Sequence, residues 1–163
     1  MNEAHYHMVV NHFPIIGTIL GLGIILIGFS IKNKSVINTA YGLFIIAAIF
    51  AAASMATGDE AEEMVEDMPN IGKKIIHEHE EIAEKFALIL YVLGSVSIVG
   101  FYFNLTNNIK SKITTYAAIL ISIVGVYFAQ KTGTTGGEIR HTEIRSTPSN
   151  TSVIETNNED NED

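Results

Sequence analysis

Cysteine and tryptophan are both absent from the 163-residue chain, and only three prolines occur. Without cysteine the chain can form no disulfide and can offer no thiolate to zinc or to an iron–sulfur cluster, so a bound metal would need nitrogen or oxygen ligands. Charge is also scarce, since 17% of the residues are charged against about 25% in an ordinary soluble domain. The composition therefore argues against a soluble globular protein.

Positive charge is the scarcer sign, with 10 lysines and arginines against 18 acidic residues and a formal net charge of -8. Nucleic-acid binding needs clustered basic side chains, and the sequence contains no such cluster, so no nucleic-acid partner is predicted. It also lacks a glycine-rich phosphate loop following a strand and a serine, histidine and acid arrangement for hydrolysis. An electron-transfer or binding protein is therefore favoured over an enzyme.

Long runs of apolar residues are the main feature of the sequence. Four stretches have about the length of a membrane span, at residues 8–31, 36–56, 82–103 and 113–129. About 20 helical residues cross a hydrocarbon core of about 30 Å. A soluble bundle would show a polar stripe on each helix, and residues 17–29 and 42–53 show none. The sequence predicts an all-α fold, a four-transmembrane-helix bundle in a lipid bilayer.

The loops between the spans predict an orientation. Those after the first and third spans carry Lys32, Lys34, Lys110 and Lys112 and contain no acidic residue. Short loops rich in lysine stay in the cytoplasm. We therefore expect both termini outside, in the periplasm, and a multi-pass protein of the bacterial inner (cytoplasmic) membrane. The first span should remain as a helix, because it lacks the features of a cleavable signal.

Polar segments flank this membrane domain, which the sequence assigns to residues 1–141. Residues 59–66 are good helix formers, so the second helix is expected to project beyond the bilayer until Met68-Pro69-Asn70. The fourth span is the shortest, and Gly133, Gly136 and Gly137 after it favour a loop. Residues 142–163 are polar and acidic and are expected to form a disordered periplasmic tail.

All six histidines fall at one membrane level in this topology, namely His5, His7, His12, His77, His79 and His141. His12 lies four residues inside the first apolar run, about 6 Å along a helix axis. Ionisable residues at membrane depth are usually functional. The alternative is an interfacial histidine bonded to a carbonyl that Pro14 leaves free.

Imidazole is the usual axial ligand of haem iron. His12 and His79 come from different helices at similar height, so they are the expected ligand pair for b-type haem, with His7 and Glu80 as further cofactor-binding candidates. His79 is preferred to His77 because it continues an apolar face through Ala83, Phe86 and Leu90. Glu80 would orient an imidazole or tune the iron. The expected function is one-electron transfer near the periplasmic face.

Two other functions stay open. A divalent metal could be bound by His7, His12, His79, Glu138 and His141, since Glu138 and His141 have the Glu-x-x-His spacing that places two ligands on one helical face. A salt bridge of Arg140 with Glu138 or Glu60 is the structural alternative for that segment. The chain could also be a cofactor-free subunit that docks onto a larger membrane complex through its acidic outer loop and tail.

The small residues of the spans, including Gly17 and Gly21, predict close helix packing. The pair forms a GxxxG pattern, and the functional alternative for these small residues is a pocket in which a flat cofactor lies against glycine. The sequence leaves open whether the chain forms a homo-oligomer.

The segment His7-Met8-Val9-Val10-Asn11-His12-Phe13-Pro14-Ile15 resembles a group of bacterial four-helix membrane proteins classified as a domain of unknown function. In that family a His-Pro-x-x-x-His-Phe-Pro segment opens the first helix, whereas Met8 replaces the first proline here. Thr57-Gly58, His79-Glu80-x-x-Ala83 and Gly136-Gly137-Glu138 resemble further family features. Some members are fused to Rieske-type iron–sulfur domains, so the resemblance implies membrane electron transfer and a respiratory or redox membrane partner.

Overall fold

The structure, a computed structural model, describes residues 3–65 and 73–141. Its helices are α1 (Glu3–Val10), α2 (His12–Ser30), α3 (Lys34–Ala56), α4 (Gly58–Val65), α5 (Lys73–Leu105) and α6 (Ser111–Arg140). Within these residues there is no strand. Four segments are long and apolar enough to cross a membrane: His5–Ser30, Lys34–Ala56, Lys73–Leu105 and Ser111–Ile139. The all-α four-helix bundle is thus confirmed, and the chain is a multi-pass membrane protein.

The four long helices form a closed ring of antiparallel neighbours. Helix α2 packs against α3, α3 against α5, α5 against α6, and α6 against α2. The two lysine-bearing loops lie at the same end, where Lys34 Nζ donates a hydrogen bond to Asn107 Oδ1 at 2.8 Å. Helices α2 and α5 therefore lie diagonally opposite and run in the same direction, so the beginnings of both lie at the other end, here named the histidine end.

Each long helix turns a stripe of residues inward with alternating spacings of three and four. The stripe of α6 consists of Ser111, Thr115, Ala118, Ser122, Gly125, Ala129, Thr132 and Gly136, and that of α5 of Ile76, His79, Ala83, Phe86, Leu90, Leu93, Ser97, Gly100 and Asn104, all buried or half-buried. A seven-residue repeat of this kind is the packing pattern of left-handed coiled coils. Because the α6 stripe contains only small side chains, neighbouring helices approach it closely.

The bundle interior near the lysine loops contains polar groups that bond to one another. Tyr41 Oη and Thr115 Oγ1 are 3.0 Å apart, and Thr115 donates to the Ser111 carbonyl at 2.8 Å. One turn away, Asn104 Nδ2 donates to Asn38 Oδ1 at 2.9 Å. In lipid these groups have no water to bond, so such pairs connect α3 to α5 and α6.

The helix ends differ from the sequence prediction in two places. Helix α3 does not continue into residues 59–66; it ends at Ala56, and after the cap Thr57 the separate helix α4 packs against α1. Helix α6 continues through Gly133, Gly136 and Gly137, which were expected in a loop. Of these, Gly136 belongs to the inward stripe, where a Cβ atom would crowd the His79 ring. The predicted break at residues 68–70 and the tail at 142–163 lie outside the described residues.

Close packing predicts different outcomes for two helical glycines. A Cβ atom at Gly94 would lie 2.7 Å from Ala48 Cβ, whereas one at Gly23 would meet nothing within 4 Å. Gly94→Ala should therefore lower the free energy of unfolding by about 1 to 3 kcal/mol, and Gly23→Ala should cause no loss. Unfolding by sodium dodecyl sulfate, followed by circular dichroism in detergent micelles, measures both. Equal losses in the two variants would contradict this packing.

Candidate two-histidine site

His7 and His79 both lie at the histidine end of the bundle. Both are half-buried. His79 belongs to the inward stripe of α5. His7 extends the stripe of α2 backwards, since residues 7, 11, 14, 18, 21, 25 and 28 keep the alternating spacing of four and three. The coiled-coil register therefore carries both imidazoles toward the bundle axis from diagonally opposite helices.

The ring of His7 is held by the end of α3. Its Nδ1 lies 3.1 Å from the Ser54 carbonyl oxygen and 3.2 Å from Thr57 Oγ1. A carbonyl oxygen can only accept, so we assign the proton to Nδ1. The Thr57 hydroxyl itself donates to carbonyls of its own helix. In the neutral ring Nε2 then carries a free lone pair.

The ring of His79 is likewise held through its Nδ1 atom, in this case by a residue of α6. Its Nδ1 lies 2.9 Å from Thr135 Oγ1. The Thr135 hydroxyl proton is directed at the carbonyls of Lys131 and Thr132, at 3.1 and 3.3 Å, so its oxygen accepts from His79. The proton of the neutral ring again lies on Nδ1 and the lone pair on Nε2.

Gly136 gives the His79 ring room, since a Cβ atom there would lie 3.0 Å from His79 Cε1. A Cβ atom at Gly58 would lie 4.0 Å from His7 Cε1, which is an ordinary contact. Near the pair, Asn11 Oδ1 and Thr132 Oγ1 are buried and have no hydrogen-bond partner. Asn11 follows His7 by one helical turn, and Thr132 precedes Gly136 by one. Buried polar atoms are rarely left unsatisfied, so this region has spare capacity to bind a polar group.

His12 lies elsewhere. Its side chain is exposed, and its Nδ1 lies 2.7 Å from the Met8 carbonyl oxygen. It is five residues after His7, so at about 100° per residue it points about 140° away from the inward stripe. At the end of the bundle where His79 lies, His7 rather than His12 is the half-buried histidine of the first span. His12 has the geometry of the alternative interpretation, an interfacial histidine bonded to a backbone carbonyl, although the carbonyl belongs to Met8.

The acidic candidates stand apart from the pair. Glu80 Oε2 lies 3.4 Å from Nδ1 of His77, whose side chain is 71% exposed. The described contact of Glu80 is therefore with the solvent-exposed His77. Glu138 lies in the last turn of α6, but His141 follows the helix with extended dihedral angles (φ -110°, ψ 93°). Among residues 3–65 and 73–141, no three histidine or acidic side chains are grouped to hold a metal ion.

The register of the first span is the signal that could have identified His7. Counting back from the buried residues Thr18 and Pro14 in steps of four and three gives Asn11 and His7. Depth in the apolar run pointed to His12 instead, because depth does not report which face of the helix a residue occupies.

No protein-family model matches the chain, and no curated protein or solved structure is significantly similar to it. The resemblance seen in residues 7–15 therefore stays a prediction.

The hydrogen bond from Thr135 predicts the tautomer of His79. In Thr135→Val the acceptor for Nδ1–H is lost, so the nitrogen-15 resonances of the His79 ring should shift and the tautomer preference should weaken. The matched control is Thr134→Val, since Thr134 is exposed and bonds only to Gln130 in its own helix. Nitrogen-15 spectra of histidine-labelled protein measure both. An unchanged His79 signal in Thr135→Val would contradict the assigned bond.

Proposed function

We propose that this chain is a membrane redox protein that binds b-type haem between His7 and His79 and transfers single electrons. The supporting observation is that two inward imidazoles from opposite helices each have Nδ1 hydrogen-bonded and Nε2 free. Ligating histidines almost always donate their second ring nitrogen to a carbonyl or another acceptor, which fixes the ring and its tautomer. The proposal uses His7 where the sequence analysis expected His12.

The donor set fits haem better than a divalent ion. Haem brings four ring nitrogens to its iron and needs only axial ligands from the protein, whereas zinc-type sites take three or four protein ligands. The described residues offer two inward imidazoles, and no group of three or more potential metal ligands occurs among them. When bound, haem would supply a reversible one-electron couple.

The protein's own groups would hold and tune this site. The Ser54 carbonyl and the Thr135 hydroxyl orient the two rings, and partial burial of the rings limits access of water. Glu80 is half-exposed, 41% for its side chain, so its carboxylate would favour the more positive, oxidised form of the group only weakly. The proposed ligands are thus neutral and preorganised.

The proposed location is the bacterial inner membrane, with the lysine loops in the cytoplasm and the two histidines near the periplasmic face. Lys34 and Asn107 bring the two basic loops to one end of the bundle, which suits the rule that such loops stay inside. Electrons would pass to or from a respiratory or redox partner in the same membrane.

Haem binding predicts a colour that depends on particular histidines. Protein purified in mild detergent from haem-sufficient cells should show a sharp Soret band that shifts on dithionite reduction. His7→Ala and His79→Ala should each remove at least nine-tenths of that absorbance per protein, because each deletes an axial ligand. His12→Ala and His77→Ala serve as matched controls and should keep it. Absorption spectra and a pyridine haemochrome assay measure the content.

The opposite patterns are informative. Loss of the Soret absorbance in His12→Ala, with its retention in His7→Ala, would instead favour His12 and His79 as the haem ligands, which is the pair that the sequence predicted. A colourless wild-type protein that carries stoichiometric divalent metal would support the metal-binding function, and one with neither would support a cofactor-free subunit. Either result would overturn the haem proposal.

The proposed orientation can be tested because the natural chain has no cysteine. Lys110→Cys and Glu78→Cys place single thiols at opposite ends of the bundle, at exposed positions. A membrane-impermeant maleimide applied to intact cells should label Glu78→Cys and leave Lys110→Cys unlabelled until the cells are opened. The reverse pattern would place the two histidines on the cytoplasmic side.

A further inference from the structure

A shallow groove runs along the outer surface of the bundle between α2 and α3, with a volume of about 280 Å³. Its walls are Ile16 and Leu20 on α2 and Leu43 and Ile46 on α3. Its floor is low because Gly17 and Ala47 pack closely there, so that a Cβ atom on Gly17 would lie 3.1 Å from Ala47 Cβ. The groove belongs to the membrane-spanning part of the bundle and is open to the lipid.

His12 provides the polar end of this otherwise apolar groove. Its Nδ1 donates to the Met8 carbonyl at 2.7 Å, so Nε2 of the neutral ring is an acceptor without a proton. Neither lysine nor arginine is among the residues that line the groove. Lysine and arginine are the usual donors to an anionic lipid headgroup. A head group that carries a hydroxyl, by contrast, can donate a hydrogen bond to Nε2 of the neutral ring.

An aromatic wall stands next to His12. The rings of Phe13 and Phe50 are stacked, with centroids 4.3 Å apart and planes inclined by 16°. Phe13 is exposed and lines the groove, whereas Phe50 is half-buried and lies outside its lining. The Phe13 ring can therefore offer a surface or edge to a further ring. From His12 to Leu20 the groove continues for eight residues, about 12 Å along the helix, between apolar side chains. A ligand with an aromatic head and a long apolar tail matches both features.

We propose that this groove binds an isoprenoid hydroquinone from the bilayer. One ring hydroxyl donates a hydrogen bond to His12 Nε2, the ring packs against Phe13, and the tail lies along Ile16 and Leu20. The proposal goes beyond the haem site and does not require it, since His12 is separate from the pair formed by His7 and His79.

The test compares hydroquinone and quinone binding. Protein in nanodiscs is titrated with decyl-ubiquinol under reducing, oxygen-free conditions, and the retained ligand is measured against empty nanodiscs. Saturable binding with one ligand per chain is expected. Decyl-ubiquinone, which lacks the donating hydroxyls, should bind at least tenfold more weakly, and added phosphatidylglycerol should not displace the hydroquinone. Equal binding of the two redox forms or displacement by the phospholipid would overturn the proposal.

Variants locate the ligand. His12→Leu should weaken hydroquinone binding at least tenfold, and Ile16→Trp should block it by filling the groove from an exposed wall. The matched controls are His77→Leu and Ile19→Trp, the latter also exposed on α2 but outside the groove; both should bind normally. Unchanged binding in both His12→Leu and Ile16→Trp would refute the assignment.

Discussion

Close approach of helix backbones is the constraint on which the rest of this molecule depends. Inside a bilayer, apolar side chains gain little by leaving lipid for protein, so helices associate through van der Waals packing and interhelical hydrogen bonds. The α6 stripe meets this requirement with serine, threonine, alanine and glycine alone. Gly100 contacts the Tyr41 ring and Gly94 contacts Ala48 in the same way on α5. The register set by these contacts extends to the ends of the helices, where it positions the histidines.

Small polar residues in the stripes serve two different purposes. Near the lysine loops, Tyr41 with Thr115 and Asn104 with Asn38 satisfy each other and connect helices. At the histidine end, Asn11 Oδ1 and Thr132 Oγ1 are buried without a hydrogen-bond partner. Ser97 Oγ, farther along α5 toward the lysine loops, is also buried without a partner, so unsatisfied polar atoms are not confined to the histidine end.

The sequence predicted the features that depend on composition and length. Apolar runs gave four spans, and the acid-free lysine loops were correctly grouped at one end. Tertiary detail was harder to predict. Gly133, Gly136 and Gly137 look like a loop in the sequence, yet α6 continues through them, and Gly136 packs against the His79 ring. The break at Thr57 was also not predicted, and the helix that follows it, α4, packs against α1. His79 was distinguished from His77 by its apolar face, and His77 is exposed as that argument required.

His7 and His12 show how helical phase separates two chemically identical side chains. Each has Nδ1 on a backbone carbonyl, of Ser54 for His7 and of Met8 for His12, so each presents a bare Nε2. A separation of five residues, about 140° of helical rotation, directs one lone pair into the bundle and the other to the lipid surface. An interior lone pair can meet only a group enclosed by the helices, whereas a surface lone pair can be reached by molecules that diffuse in the bilayer. One short segment can thus serve a fixed ligand and an exchanging one.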